Sequence, residues 1–314
     1  MQTVKLSSGK NIPVIGLGTW KLPTEKIDQI IRDSIEVGFR HFDCAWGYEN
    51  EEQIGNVFKE IFSTDKSKRE DFWITSKLHN IFHDPKDVQW ACEQSIQNLG
   101  CDYLDLFLIH WPISFEKRDD LDPEPLDFNT FTISTVDIPL IQTWKAMEKL
   151  VEKGLVKSIG VSNFSIDHLK EILKEAQIKP VVNQVENHPY LQQEDLVQFC
   201  KENQIQVIAY SPLGSLDSKQ KDDPSILDDP IIKEISQRLN CLPAQVVLKW
   251  QIQRGLIVIP KSSNPLHMKE NLQALEFTLS QEDMDKIKSI NRNYRFLNPM
   301  NFWGITVFEE IKKD

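Results

Sequence analysis

"FWITSKLHNIFHDPKDVQWACEQSIQNLGCDYLDLFLIH", residues 72–110, decides the fold. It opens on a short β-rich run, residues 72–77, ending in Lys77. "DPKDVQWACEQSIQNLG" follows as a helix with Pro85 near its start and Gly100 after its end, the usual punctuation of a helix. A second apolar run, residues 104–110, ends in His110. Strand, helix and strand in immediate succession form one unit of a parallel sheet.

Outward from that unit the pattern repeats. β-rich runs stand at residues 38–43, 157–161, 181–185, 207–211 and 256–259, with a weaker one at 15–19. The helices between them are amphipathic. In "VDIPLIQTWKAMEKLVEKG", Leu140, Trp144, Met147 and Val151 share a face, with Pro139 in the first turn and Gly154 as the C-terminal cap. Residues 3–16 read as a β-hairpin turning at Ser8-Gly9. A strand and a helix alternating eight times predict a (β/α)8 barrel. The rival is a doubly wound sheet with a G-x-G-x-x-G turn. "GLGTW", residues 16–20, supplies only the first two of those glycines, and there is no P-loop pattern.

A chain of 314 residues suggests two domains by length alone, but barrels of this kind run to ~250 residues as one unit, so residues 1–314 are expected to form a single domain. Two segments break the rhythm: a long polar loop after the fourth strand, residues 113–137, and an irregular, aromatic-rich tail from residue 291. Loops of this length are commonly lids, and the aromatics imply that the tail packs over the pocket.

The formal net charge is -11, which argues against nucleic acid or an anionic membrane as partner. No stretch is apolar enough for a membrane span, and the N-terminus has no signal-like apolar core. The five cysteines, Cys44, Cys92, Cys101, Cys200 and Cys241, form no C-x-x-C pair and no zinc pattern. They read as reduced packing residues of a cytoplasmic protein. The sequon at Asn163 then carries no meaning. Seven histidines without an H-x-H motif make a metal-dependent hydrolase a weak alternative, and no metal site is expected.

In a barrel of this type the active site gathers at the C-terminal ends of the strands. Those ends carry Asp43, Lys77, His110, Ser162-Asn163, Gln184 and Tyr210-Ser211. Each has a plain structural explanation alone: a cap, a snorkelling lysine, a hydrogen-bonded core histidine. The fold brings them all to one mouth. A lysine within ~4–6 Å of a phenol lowers its pKa, and an aspartate beside that lysine keeps it charged. A histidine can orient a carbonyl towards the phenol. With Tyr48 five residues beyond Asp43, this is the acid half of a carbonyl reduction. No side chain supplies a hydride, so a nicotinamide cofactor is required.

"GLGTW", "RHFDCAWGYENEE", "ITSKL", "YLDLFLIHWP", "GLVKSIGVSNF", "NQVENHPY", "AYSPLG" and "VIPKSSNPLHMKEN" follow one another in the order found in the aldo-keto reductases, and the chain resembles that family over its whole length. The resemblance implies a catalytic tetrad of Asp43, Tyr48, Lys77 and His110. It implies cofactor contacts from Gly18, Thr19, Trp20 and Asp43. Ser162, Asn163 and Gln184 would meet the carboxamide, and Tyr210 the nicotinamide ring. Ser211, Leu213 and Ser215 would lie along the pyrophosphate beneath a covering loop. The adenosine end falls to Lys261, Ser262, Ser263, Asn264, His267, Glu270 and Asn271. Trp20 and Trp111 would wall the substrate pocket beside Tyr48 and His110.

His267 stands where the family carries an arginine. Imidazole can stack on adenine but lacks the guanidinium fork. Lys261 and Ser262, which the resemblance places near the 2′-phosphate, make NADPH the expected cofactor, and His267 leaves NADH as a weaker alternative. The nearest likeness is to the sugar-reducing branch, the aldose and xylose reductases, with similarity to plant aldose-6-phosphate and mannose-6-phosphate reductases. Those sugar-phosphate enzymes carry a lysine after the tyrosine, where this chain has Glu49. A free aldose or small aldehyde is thus the expected substrate, reduced to the alcohol with Tyr48 giving the proton. Lys117, Arg118 and Arg295 keep a sugar phosphate as the alternative. A cofactor-holding barrel with little turnover is the alternative of another class, and the chain is expected to be a monomer or a homodimer.

Overall fold

The computed structural model describes residues 2–64, 68–127, 132–215 and 223–308. Within them eight parallel strands lie in chain order in one sheet: Leu17–Gly18, His41–Asp43, Trp73–Leu78, Leu106–Ile109, Ile159–Ser162, Val182–Glu186, Gln206–Tyr210 and Ile257–Val258. The sheet closes on itself. Ile15 bridges Val258 in parallel, Gly16 N–H donates to the carbonyl of Val258 at 2.9 Å, and Val258 N–H donates to that of Val14 at 3.0 Å. No edge remains, as barrel closure requires. Helices pack outside; the first six, beginning with Ile27–Val37 and Glu51–Phe62, each fill one crossover. Two more, Pro230–Leu239 and Pro243–Gln253, precede the eighth strand, and Pro265–Gln273 follows it.

The strand interiors explain which end is open. Trp73, Leu106, Leu108, Val182, Ile208 and Ile257 form one buried cluster with Leu6 and Ile12 of the hairpin Thr3–Lys5/Asn11–Pro13. The hairpin therefore plugs the end where the strands begin. The polar strand ends are left at the opposite mouth.

Five of the eight strands are shorter than their β-rich runs; the third, sixth and seventh keep their length but are displaced by one residue. The run at 38–43 starts pairing only at His41, because Gly38 adopts φ 115° and caps the preceding helix, and Arg40 turns back to the carbonyls of Ile35 and Phe39. The run at 104–110 pairs with the third and fifth strands over Leu106–Ile109, and Leu104 makes a separate bridge to Val156. One residue is diagnostic of close packing outside the barrel. A Cβ on Gly55 would lie 1.9 Å from the carbonyl oxygen of Asn98, so the second and third crossover helices meet at bare backbone.

The two segments that break the sequence rhythm are more ordered than their composition suggests. In the loop after the fourth strand, Ser114–Phe115 pairs with Thr135–Val136 and Leu126–Asp127 with Thr132–Ile133, both antiparallel. Residues 128–131, between Leu126–Asp127 and Thr132–Ile133 in sequence, lie outside the described residues. The tail carries a 3-10 turn, Pro299–Asn301, after which Trp303 stacks edge-on against Phe115 and Trp111 at 4.8 and 5.0 Å. Its carbonyl accepts from Ile133 N–H at 3.0 Å. Loop and tail thus form one wall beside the mouth.

Candidate active site

Lys77 is the hub. Its strand carries it, 1% exposed, beneath the mouth, where an unpaired ammonium could not persist. Its three donors find three acceptors: Asp43 Oδ2 at 2.7 Å, the Cys44 carbonyl at 2.9 Å and Tyr48 Oη at 3.0 Å. Burial pulls the ammonium down, but Asp43 and Tyr48 outweigh it and hold its pKa above normal. Asp43 is fixed from its other side by Gln184, whose Nε2 donates to Oδ1 at 2.7 Å.

Tyr48 sits on the 3-10 turn Trp46–Tyr48 that follows the second strand. Because its oxygen accepts from Lys77, its own O–H remains to be given elsewhere. Burial pushes the phenol above its usual 10, and Lys77 opposes this without reversing it. The expected lowering by the lysine is therefore present but is outweighed. The imidazole of His110 stands edge-on to the phenol, ring centroids 5.7 Å apart. Burial drives its pKa well below 6.5, so the ring is neutral at pH 7. Its Nδ1 is buried without a hydrogen-bond partner among the described residues, which leaves Nε2 as the nitrogen able to meet a ligand.

A cavity of about 680 Å³ opens above these groups. Gly18, Trp20, Asp43, Tyr48, His110 and Trp111 line it, together with Ser162, Asn163, Gln184, Tyr210, Ser211, Leu213 and Ser215 and with Lys261, Ser262, Ser263, Asn264 and His267. Tyr210 is held by its hydroxyl, which donates to Asn163 Oδ1 at 2.8 Å. The last of these groups stands at a capped helix terminus: Asn264 Oδ1 accepts from Leu266 N–H at 2.9 Å at the start of Pro265–Gln273. Free N–H groups of a helix's first turn, with Lys261 alongside, suit phosphate. The residues present fit an extended dinucleotide.

Three predicted contacts lie outside the lining. Thr19 is buried, with its hydroxyl donating to the Asp43 carbonyl at 2.9 Å. Glu270 offers its carbonyl to Gln245 Nε2, and Asn271 is buried on the inner side of its helix. Glu49 is exposed and also outside the lining, on a left-handed backbone with φ 55°. Conversely, the cavity includes residues to which the sequence reading gave no role: Lys21, His79, Asn80, Glu124, Phe296, Leu297, Asn301, Phe302 and Trp303. Only the aromatic content of the tail signalled any of them. Residues 216–222, part of the expected covering loop, lie outside the described residues. Among the described residues, no cluster of three histidines, cysteines or carboxylates is placed to hold a metal ion, and no helix is long and apolar enough to cross a membrane.

A profile of the Aldo/keto reductase family matches residues 14–292. The chain belongs to the aldo/keto reductase family. Its relatives include aldo-keto reductase family 1 member A1 of Gallus gallus, 45% identical over 300 residues that cover 95% of this chain and 91% of that protein. The member A1-A protein of Danio rerio is 46% identical, covering 95% and 92%. Among solved structures, the aldose reductase from Schistosoma japonicum superposes with a TM-score of 0.91 at 38% identity, covering all of both chains. That from Giardia lamblia gives 0.89 at 41% identity, covering 94% of this chain and 98% of its own. The (β/α)8 barrel read from the sequence is thus shared with aldose reductases, and this aldo/keto reductase is an NAD(P)H-dependent oxidoreductase acting on carbonyl groups.

Proposed function

We propose that this protein reduces a free aldehyde or aldose to its alcohol with NADPH, Tyr48 donating the proton. The observation that carries the reading is the fully committed lysine: with all three Lys77 donors engaged, the Tyr48 hydroxyl is the acidic proton left for the cavity. The nicotinamide, when bound, supplies the hydride. Ser162, Asn163, Gln184 and Tyr210 would hold it, with Ser211, Leu213 and Ser215 along the pyrophosphate. Lys261, Ser262 and Ser263 would meet the 2′-phosphate beside His267. Neutral His110 can donate from Nε2 to a carbonyl oxygen and orient it towards Tyr48. As negative charge grows on that oxygen, Tyr48 gives its proton and the Lys77 ammonium stabilises the phenolate left behind. Asp43 keeps the ammonium in place. Trp20, Trp111 and the tail exclude water.

The charges support an unphosphorylated substrate. Glu49 is exposed and does not line the cavity, whereas Glu124 lines it and accepts from Trp303 Nε1 at 3.2 Å. Lys117 is paired with Asp87 at 2.7 Å, Arg118 with Glu116 and Asp122, and Arg295 lies 3.7 Å over the Phe308 ring; none of these cations lines the cavity. A sugar phosphate stands second, favoured by Lys21 at the mouth, 4.4 Å above the Trp20 ring. NADPH oxidation against glyceraldehyde, xylose, glucose and a hexose 6-phosphate separates the two. The free aldehydes should saturate the enzyme; saturation by the phosphorylated sugar alone would reverse the order. Lys261→Met should weaken NADPH about tenfold and leave NADH unchanged, the scale of one charged hydrogen bond; equal losses for both would contradict the 2′-phosphate role.

A further inference from the structure

Glu186 ends the sixth strand, two residues beyond Gln184, and its side chain is wholly buried. We propose that Glu186 is a positioning residue for substrate specificity, holding the tail backbone so that the tail forms one fixed wall of the cavity. The inference rests on the carbonyl-reductase reading above.

A buried carboxylate needs an acceptor's full complement of donors. Here the donors come from the tail. Oε1 accepts from Phe296 N–H at 2.7 Å and Oε2 from Leu297 N–H at 3.0 Å. His188 Nε2 lies 2.9 Å from Oε1, and Arg295 Nη1 3.9 Å from Oε2. Just upstream, Tyr294 N–H and Arg292 N–H both donate to the Tyr190 carbonyl, at 2.9 and 3.2 Å. The tail is therefore tied to the barrel by its main chain at two consecutive points. Phe296, Leu297, Asn301, Phe302 and Trp303, at and beyond those points, all line the cavity.

The division of labour follows from which atoms are bonded. Glu186 grips N–H groups, so its hold is indifferent to the side chains the tail displays. Those side chains are free to set which substrate fits, while the carboxylate sets where they stand. Glu186 itself does not line the cavity, and none of its hydrogen bonds involves Tyr48, Lys77 or His110. Its loss should move the wall and leave the proton donor in place. The substitution Glu186→Gln would keep the side-chain volume but offer one acceptor oxygen instead of two. The new NH2 group would face a second backbone donor, freeing one of the two N–H ties.

The test compares wild type with Glu186→Gln on glyceraldehyde and on a bulky aromatic aldehyde that reaches the tail, reading kcat and KM separately, with NADPH Kd and Tm. KM for the bulky aldehyde should rise about tenfold, the scale of one apolar pocket contact. KM for glyceraldehyde, both kcat values and the NADPH Kd should stay within about twofold. A lowered Tm with an unchanged KM ratio would overturn the proposal, as would a kcat that falls equally for both substrates. Glu186→Asp, which keeps the charge but withdraws it by one methylene, serves in the same assay should the first variant not fold, and should shift the ratio in the same direction. A wild type that reduces neither aldehyde overturns the reductase reading and this proposal with it. A wild type that reduces both, with the KM ratio unmoved by either variant, overturns this proposal alone.

Discussion

As the proposed acid, Tyr48 must carry its proton in order to give it away, and burial governs when it does. Burial holds the phenol above 10 against the pull of Lys77. The protonated, active form therefore persists through neutral pH and is lost only as the pH rises past that value. A kcat/KM profile that is level across neutral pH and falls on the strongly alkaline side is expected; a fall beginning near neutrality would mean that the lysine dominates. Lys77→Met removes one member of a buried pair and strands Asp43, which costs about 3–5 kcal/mol in comparable cases. Chemical denaturation should register that loss, and turnover should drop by at least about a hundredfold. The grouping of Asp43, Tyr48, Lys77 and His110 was legible because Asp43, Lys77 and His110 sit at or next to strand ends that their apolar runs announce, and Tyr48 follows Asp43 by five residues. The Cys44 carbonyl, the third acceptor for Lys77, was not: a backbone oxygen has no signature in a side-chain pattern. Glu186 was hidden for a similar reason, since its donors are main-chain N–H groups about 110 positions away. Thr19 shows the converse: its residue type suits a nucleotide, but its hydroxyl turns inward to the Asp43 carbonyl, which a sequence does not say.

Elements were easier to find than to bound. The helices kept their expected faces, with Leu140, Trp144 and Met147 buried on the fourth crossover helix. The second strand starts late because Gly38 caps the helix ahead of it. The loop after the fourth strand and the tail stabilise each other through Trp303, Phe115 and Ile133, contacts of such long range that neither segment shows a period of its own. Helix contacts outside the barrel offer a separate check on element packing. Gly55→Ala would press a methyl against the Asn98 carbonyl, 1.9 Å away before relaxation. Overpacking of this kind typically costs about 1–3 kcal/mol. Denaturant melts should show at least that loss, with NADPH affinity of the folded fraction unchanged, because the site lies at the strand ends; an unaltered midpoint would contradict the close helix approach.

At the scale of the whole molecule, closure makes the chemistry. Ile15 and Val258, remote in sequence, join the first strand to the last, and the ring brings Asp43, Lys77, His110 and Gln184 from four strands to one mouth. An overall charge of -11 would repel a dinucleotide, so in the proposed function its phosphates would rely on a local exception: the helix terminus at Asn264 with Lys261 beside it. The central claim is that this mouth reduces carbonyls with Tyr48 as the acid. Single-turnover and steady-state reduction of glyceraldehyde by Tyr48→Phe, with NADPH affinity measured on the same sample, tests it most directly. Turnover should fall by about a hundredfold or more while NADPH binds nearly as it does to wild type. A Tyr48→Phe enzyme that binds NADPH and turns over at the wild-type rate would contradict it.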